Sequence, residues 1–143
     1  MNLIEGLNIE YINVYEGGLE AKMNLTQFHT QIFGYLHGGA TLAFGETITG
    51  YASIQKVNKE TLPETITGYD SIPKKNIYNV AVGQSITANH MKPKKIEGYI
   101  IAKGKLIHAG KTSHVWSVEM FDENNVLISF MTVTNAIIKS NRD

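Results

Sequence analysis

Apolar and polar residues alternate in two separate parts of the chain, and such alternation is typical of half-buried β-strands. In the first part, residues 9–14 and 19–25 flank the turn residues Glu16-Gly17-Gly18, which predicts a hairpin. The second part predicts four successive strands. They cover residues 80–91, 98–109, 113–122 and 126–138, with a turn at residues 123–125 before the last strand. One long helix, predicted at residues 37–55, separates the two groups of strands.

One long helix set against a run of antiparallel strands predicts an α+β fold in a single domain, residues 1–143. Hydrophobic residues make up 43% of the chain and charged residues 18%, which suits a compact protein rather than a disordered one. Thirteen basic and thirteen acidic residues balance, so nucleic acid is not an expected partner. No apolar run approaches a membrane span, and no leader pattern opens the chain. We therefore expect a cytoplasmic protein.

The predicted helix carries a single charged side chain. Glu46 is the only Asp, Glu, Lys or Arg residue between Lys22 and Lys56. An amphipathic surface helix would carry several charges on its outer side, so we expect a helix enclosed on most sides and a buried Glu46. A buried carboxylate is costly without a partner. We interpret Glu46 as a catalytic group; the alternative is a structural pair with a lysine or arginine.

The segment that enters this helix is rich in glycine. Gly34, Gly38 and Gly39 surround His37, and the first amides of a helix have no partner within the helix. A helix that opens on two glycines can offer its N–H groups to an anion or to a developing oxyanion. Glu46 lies two turns or more beyond His37, so one chain would not bring both into one small site. We expect a dimer in which Glu46 of one copy meets the His37 end of the other.

Gln31, the run from Phe33 to Ala40 and the pair Glu46-Thr47 resemble the active-site segment of hotdog-fold acyl-CoA thioesterases. The branch with the greatest resemblance acts on phenylacetyl-CoA, para-hydroxybenzoyl-CoA and dihydroxynaphthoyl-CoA. The resemblance implies a hotdog fold, an antiparallel sheet wrapped around one long helix. It also implies hydrolysis of an acyl-CoA thioester, with an aromatic or medium-chain acyl group, to a carboxylate and free CoA. It further implies a homodimer or a homotetramer.

The resemblance assigns roles to five residues around the helix. Glu46 either attacks the thioester carbonyl or activates the attacking water, and both interpretations are kept. The Gly38 N–H polarises the carbonyl, and His37 shapes that turn. Gln31 positions the carboxylate, the water or the leaving sulfur, and Thr47 contacts the reacting region. Three of them also have a structural interpretation: His37 as a packed histidine, Gln31 as a loop glutamine, and Thr47 as a threonine bonded to the preceding helical turn.

The same resemblance implies contacts to the substrate from two later segments. These residues are Asn89, His90, Lys92, Gly110, Lys111 and Thr112. A glycine turn bearing lysine and threonine suits phosphate, although it would also suit any strand connection. We expect no metal site, because the five histidines lack ligand spacing, and no cofactor, because CoA belongs to the substrate.

Residues 57–79 depart from the resembled pattern, in which a shorter connection follows the helix. We interpret them as an insertion, either a surface loop or a wall of the acyl site. Two other functions fit the same fold. One is a hydratase or dehydratase, whose signature elements are not seen here. The other is a non-catalytic acyl-CoA or effector-binding module, against which Glu46 argues.

Overall fold

The computed structural model describes residues 1–58 and 79–139 of the chain. Within these ranges, two helices, one 3-10 turn and six strands alternate. In chain order they are α1 (Leu3–Leu7), β1 (Ile9–Tyr15), β2 (Gly18–Asn24), the 3-10 turn (Gln27–His29), α2 (Gly38–Asn58), β3 (Asn79–His90), β4 (Tyr99–Ala109), β5 (Ser113–Phe121) and β6 (Leu127–Lys139). None of the helices in this part of the chain is long and apolar enough to cross a membrane.

The described strands form one antiparallel sheet in the order β1-β2-β4-β5-β6-β3. The predicted strands are confirmed to within one or two residues at each end. Helix α2 begins at Gly38 rather than at residue 37, and it continues to Asn58 rather than ending at 55. The additional turn is polar and partly exposed, so hydrophobic periodicity gave no signal for it.

Helix α2 lies against one face of the sheet and buries most of its apolar side chains there. Phe44, Ile48, Tyr51 and Ala52 are all buried. The sheet contributes alternate residues to the same core, as period-two patterning requires. These are Ala21, Met23, Ile100, Ala102, Trp116, Val118, Met120, Met131 and Val133. The predicted hotdog arrangement, an antiparallel sheet around one central helix, is confirmed.

The N-terminal residues form a short capped helix that fixes the loop before α2. The Asn2 side chain accepts from the Glu5 N–H, and the Glu5 carboxylate accepts from the Asn2 N–H. At the other end of α1, the Leu7 carbonyl lies 2.8 Å from Nε2 of the fully buried His29. The His29 carbonyl then accepts from the His37 N–H at 2.8 Å. A buried histidine therefore ties α1 to the residue that precedes α2.

Strand β3 is one edge of the described sheet, and it is long and uncharged. It has twelve residues, none of them Asp, Glu, Lys, Arg or Pro. Only β6 pairs with it among the described elements. Edge strands of monomers are usually shortened or protected by charge or proline, because their free N–H and C=O groups pair with other strands. The β3 edge lacks these protections.

The predicted insertion at residues 57–79 falls almost entirely outside the described residues. Its first two positions belong to the last turn of α2, and Asn79 is the first residue of β3. The Asn58 side chain accepts from the Asn79 N–H at 3.1 Å and donates to the Asn79 carbonyl at 2.8 Å. The end of the helix and the start of the strand are therefore joined side by side.

Candidate active site

A cavity of about 270 Å³ lies at the N-terminal end of α2. Besides the first turn of α2, three segments form it: the loop before the helix, the end of β3 with the residues that follow, and the start of β6. Its walls are Gln31, Tyr35, Leu36, Gly38, Thr41, His90, Met91, Lys92, Pro93, Lys94, Ile128 and Ser129. Four of the residues predicted for the site, Gln31, Gly38, His90 and Lys92, therefore line one cavity.

The helix start presents one available amide to this cavity. The Gly39 N–H donates to Nδ1 of His37 at 2.8 Å, so the imidazole caps the helix. The next two amides, of Ala40 and Thr41, donate to the His37 carbonyl. Among the described residues, the Gly38 N–H has no acceptor. The cap thus leaves the Gly38 N–H as the amide donor at the cavity wall.

The Gln31 side chain bonds to the backbone of the loop before α2 through its oxygen, which leaves its NH2 group as a possible donor. Its carbonyl oxygen Oε1 accepts from the N–H groups of Phe33 and Tyr35. Because the oxygen takes two backbone donors, the side-chain NH2 is the group that remains for a ligand. The Gln31 N–H also donates to the Tyr35 carbonyl at 2.8 Å. The loop is therefore closed on itself, and Gln31 has little freedom to move.

His90 is placed against the helix start by a residue that the sequence did not indicate. Its Nδ1 lies 2.8 Å from Oγ of the buried Ser129. Its Nε2 faces Gly38 so closely that a Cβ there would lie 2.9 Å from it. A serine in a strand has no recognisable sequence signal for this contact. Ser129 was missed, because only the β3–β6 pairing brings it opposite His90.

The neighbours of His90 differ in their surroundings. Lys92 is an exposed member of the cavity wall. Asn89 is not among the lining residues, since alternation along β3 directs it away from the side that His90 faces. Lys94 is mostly buried, and its ammonium group binds the Glu123 carboxylate at 3.1 Å and the Glu97 carbonyl at 2.7 Å. Lys94 therefore stabilises a turn.

Glu46 lies elsewhere, and its predicted burial is wrong for the single chain. Its side chain is exposed, although the helix around it is largely buried. The carboxylate lies against the backbone of β3 at Gly83. No ion pair involves Glu46 among the described residues, so the structural alternative of a lysine or arginine partner finds no support there. Thr47, the next residue, is half-buried.

The turn of residues 110–112 lies towards the same end of the sheet as Gly83, which Glu46 contacts, but two strands away from it, and it is far from His90. It precedes the β5 residue His114, which pairs with Asn135, which in turn pairs with Gly83. His90 lies seven residues further along β3, or about 23 Å in an extended strand. The predicted site therefore divides in two: an amide half and a carboxylate half. The amide half is Gln31, His37, Gly38, His90 and Lys92; the carboxylate half is Glu46, Thr47, Gly110, Lys111 and Thr112.

Ser53, His114 and Trp116 form a buried polar cluster in the core. The Ser53 hydroxyl contacts Nδ1 of His114 at 2.7 Å and accepts from the Trp116 indole N–H at 2.9 Å. Burial, followed by the nearby Lys56 and His108, lowers the pKa of His114 below its ordinary value. The lower pKa favours the neutral imidazole in the folded protein. No group of three potential ligands suited to a metal occurs in residues 1–58 and 79–139.

The pattern of the Thioesterase superfamily matches residues 33–129, which include Gly38, Glu46 and His90. The chain belongs to this superfamily. As a member of this superfamily, the protein is a thioester hydrolase. The match runs from the loop before α2 to the first residues of β6, and Gln31 lies two residues before its start.

Similar proteins agree with this assignment over nearly the whole chain. The 1,4-dihydroxy-2-naphthoyl-CoA hydrolase of Listeria monocytogenes is 26% identical, over 99% of this chain and 100% of its own. The yhdA protein of Lactococcus lactis is 38% identical, with a TM-score of 0.80 over 98% of this chain and 100% of its own. The thioesterase SAV0944 of Staphylococcus aureus was solved as two alanine variants. One variant is 28% identical, with a TM-score of 0.76, and covers 96% of this chain and 98% of its own. The other is 29% identical, with a TM-score of 0.78, and covers 97% of this chain and 100% of its own.

Proposed function

We propose that this thioesterase hydrolyses an acyl-CoA, with an aromatic or medium-chain acyl group, at a site shared by two copies of the chain. The amide half of one copy holds the thioester, and the carboxylate half of the other copy supplies Glu46. The observation that supports this is the available Gly38 N–H on the cavity wall, on the same helix as a glutamate that forms no ion pair with any residue in 1–58 or 79–139. Each group suits one part of thioester hydrolysis.

The helix itself keeps the two groups of one chain apart. Glu46 follows Gly38 by eight residues, which is about 12 Å along a helix axis. A thioester carbonyl bound to the Gly38 N–H at hydrogen-bond distance would therefore lie out of reach of the same chain's Glu46. A second copy related by a two-fold axis perpendicular to α2 would place its own helix antiparallel to the first. Such an arrangement brings each Glu46 towards the opposite Gly38.

The uncharged edge of β3 supplies a surface for that second copy. A β3–β3 contact would pair the free backbone groups of both edges and join the two sheets. Glu46 lies against β3 at Gly83, so a partner at this edge would also cover the exposed carboxylate. The same contact would explain two features of α2. Glu46 is the only charged residue in the helix before Lys56, and its side chain is exposed in the single chain.

The chemistry then follows from the two halves. The Gly38 N–H donates to the thioester oxygen and stabilises the negative charge that develops there. In one route, Glu46 accepts a proton from water while the water oxygen attacks the carbonyl carbon. In the other, the Glu46 carboxylate attacks and water cleaves the resulting anhydride. In both routes the C–S bond breaks, and the CoA sulfur leaves and takes up a proton.

The similar proteins support the substrate class and the two residues that would act on it. The Listeria monocytogenes relative is named for hydrolysis of an aromatic acyl-CoA. In the Staphylococcus aureus thioesterase, one variant replaces a glutamine and the other a glutamate. Those two positions are as far apart in that chain as Gln31 and Glu46 are here.

Release of free thiol from a panel of acyl-CoAs tests the proposal. The panel contains phenylacetyl-, benzoyl-, dihydroxynaphthoyl- and straight-chain acyl-CoA. We expect Glu46→Gln to lower kcat by about 10³-fold, because the neutral amide can neither attack nor accept a proton. Glu119→Gln changes an exposed glutamate of β5 in the same way and should leave kcat unchanged.

Two results would contradict the proposal in different ways. Wild-type kcat in Glu46→Gln would exclude this carboxylate from the reaction. Saturable binding of acyl-CoA by the wild-type protein without any thiol release would indicate the binding module instead.

A further inference from the structure

The Glu46 carboxylate lies where a side chain of β3 would otherwise be. An added Cβ at Gly83 would overlap the carboxylate and would lie only 2.7 Å from Cγ of Glu46. Contacts this close do not occur for real Cβ atoms, so only glycine accommodates Glu46 in this position. The backbone of Gly83 itself has no left-handed φ, and alanine could adopt it without strain. Steric room therefore explains this glycine better than backbone conformation does.

A bulge in β3 turns Gly83 towards the helix. Gly83 pairs with Asn135 and Ser85 pairs with the adjacent Thr134, so Gln84 is an extra residue in the strand. Ile86, beyond the bulge, packs on the core side of the sheet. In a regular strand, residues 83 and 86 would lie on opposite faces. The extra residue puts both on the side of α2.

The helix turn that carries Glu46 is fixed to the same place in the sheet. Asn135, which pairs with Gly83, donates from Nδ2 to the Thr49 hydroxyl at 3.2 Å. The Thr49 hydroxyl in turn donates to the Gly45 carbonyl at 2.8 Å. Thr49 and Asn135 are both fully buried. These bonds hold the turn from Gly45 to Thr49 against the strand pair, with Glu46 facing Gly83.

We propose that Gly83 is a positioning residue of this thioesterase. The proposal rests on the proposed role of Glu46. The missing side chain and the adjacent bulge form a recess in which the carboxylate lies, and the recess limits the rotamers of an otherwise exposed glutamate. Holding a reacting group in one orientation before substrate binds reduces the entropy lost in reaching the transition state.

The test combines Gly83→Ala with Glu46→Ala and measures both thermal unfolding and kinetics in the full-length protein. With Glu46 present, the added methyl group displaces the carboxylate, and because that side chain can move into solvent we expect Tm to fall by only about 1–3 °C. In the Glu46→Ala background the methyl group meets no carboxylate, and alanine in a strand is favoured over glycine. There we expect Gly83→Ala to leave Tm unchanged or to raise it.

The kinetic result expected for Gly83→Ala is a 10- to 100-fold lower kcat with a KM within about threefold of wild type, because the displaced group acts in the chemical step. Gly50→Ala is the matched control. It lies one turn beyond Glu46 on α2, and a Cβ there would meet no atom within 4 Å. We expect wild-type kcat from it.

The outcomes separate this proposal from the proposed function. An equal fall in Tm with and without Glu46 would overturn the recess, whatever the activities. A wild-type kcat in Gly83→Ala would overturn the positioning role. If the Tm effect depends on Glu46 but Glu46→Gln retains full turnover, the contact stands and the catalytic role of Glu46 is wrong. Should Gly83→Ala fail to fold, recovery of folding in the double variant would support the proposal.

Discussion

The amide half of the site is complete within one chain, whereas the carboxylate half is not. Around Gly38, three segments enclose a cavity, and Gln31 and His90 are each fixed by hydrogen bonds. Around Glu46, a recess in β3 supports one side of the carboxylate and the other side is exposed. Both halves belong to one helix. Under the proposed shared site, α2 contributes its first turn to one site and its middle to the other.

Mixing two inactive variants tests this division most directly. Gln31→Ala damages the amide half, and Glu46→Gln damages the carboxylate half. In a mixed dimer with shared sites, one site receives both damaged halves and the other receives both intact halves. Random reassociation of equal amounts makes half of the dimers mixed, so about one quarter of wild-type kcat per chain should return. Thiol release after co-refolding, compared with each variant refolded alone, measures it.

Absence of recovery in demonstrably mixed dimers would mean that each site is formed by a single chain. The matched control is Gln31→Ala mixed with His90→Ala. Both substitutions lie in the amide half, so every site formed by a mixed dimer keeps one of them. No activity above that of the two variants alone is expected.

The hydrophobic pattern predicted the elements well because each strand buries alternate residues against one face. It also singled out Glu46, although α2 carries a second charged residue, Lys56, in the last turn that the prediction left out. The error about its burial has a physical cause. An apolar segment indicates that a helix packs against protein, but the sequence does not say whether its own chain or a second copy supplies that surface. In the single chain the Glu46 side chain is exposed.

Other parts of the site depend on contacts between distant segments. The Ser129 contact with His90 requires the β3–β6 register, and the recess at Gly83 requires a one-residue bulge. Neither a single serine nor a single glycine in a strand carries a sequence signal for such a role. Gln31, Gly38 and Glu46 were predicted because they belong to one motif that resembles a known family. The residues that support them are scattered along the chain.

A substitution with a smaller expected effect, Gly38→Ala, tests the contact between Gly38 and His90 in the amide half. A Cβ at Gly38 would lie 2.9 Å from Nε2 and 3.2 Å from Cδ2 of His90. We expect Gly38→Ala to displace the imidazole or the amide and to lower kcat by about 10-fold, because an oxyanion donor loses much of its effect when it is misaligned. In a His90→Ala background the crowding is gone, so the further loss should be less than twofold. Equal losses in both backgrounds would exclude crowding as the cause.

The smallest expected effect concerns the core beneath the carboxylate half. There His114 contacts Ser53, and its lowered pKa favours the neutral imidazole. Between the ordinary histidine pKa of about 6.5 and the lowered value, the unfolded chain binds this proton and the folded protein does not. The contribution to the free energy of unfolding is therefore complete above pH 6.5. It is lost progressively as the pH falls through the lowered pKa.

Thermal unfolding of wild-type protein and His114→Gln between pH 8 and pH 5 measures this contribution. We expect the Tm of the wild type to fall more steeply below pH 6.5 than that of the variant, because each unit by which the pKa is lowered corresponds to about 1.4 kcal/mol in the free energy of unfolding. The variant removes the titrating group, whereas the amide half keeps all of its own histidines. Parallel pH profiles would show that His114 contributes nothing to acid sensitivity. A steeper dependence of Tm on pH in the wild type would assign this acid sensitivity to His114 and its buried contact with Ser53.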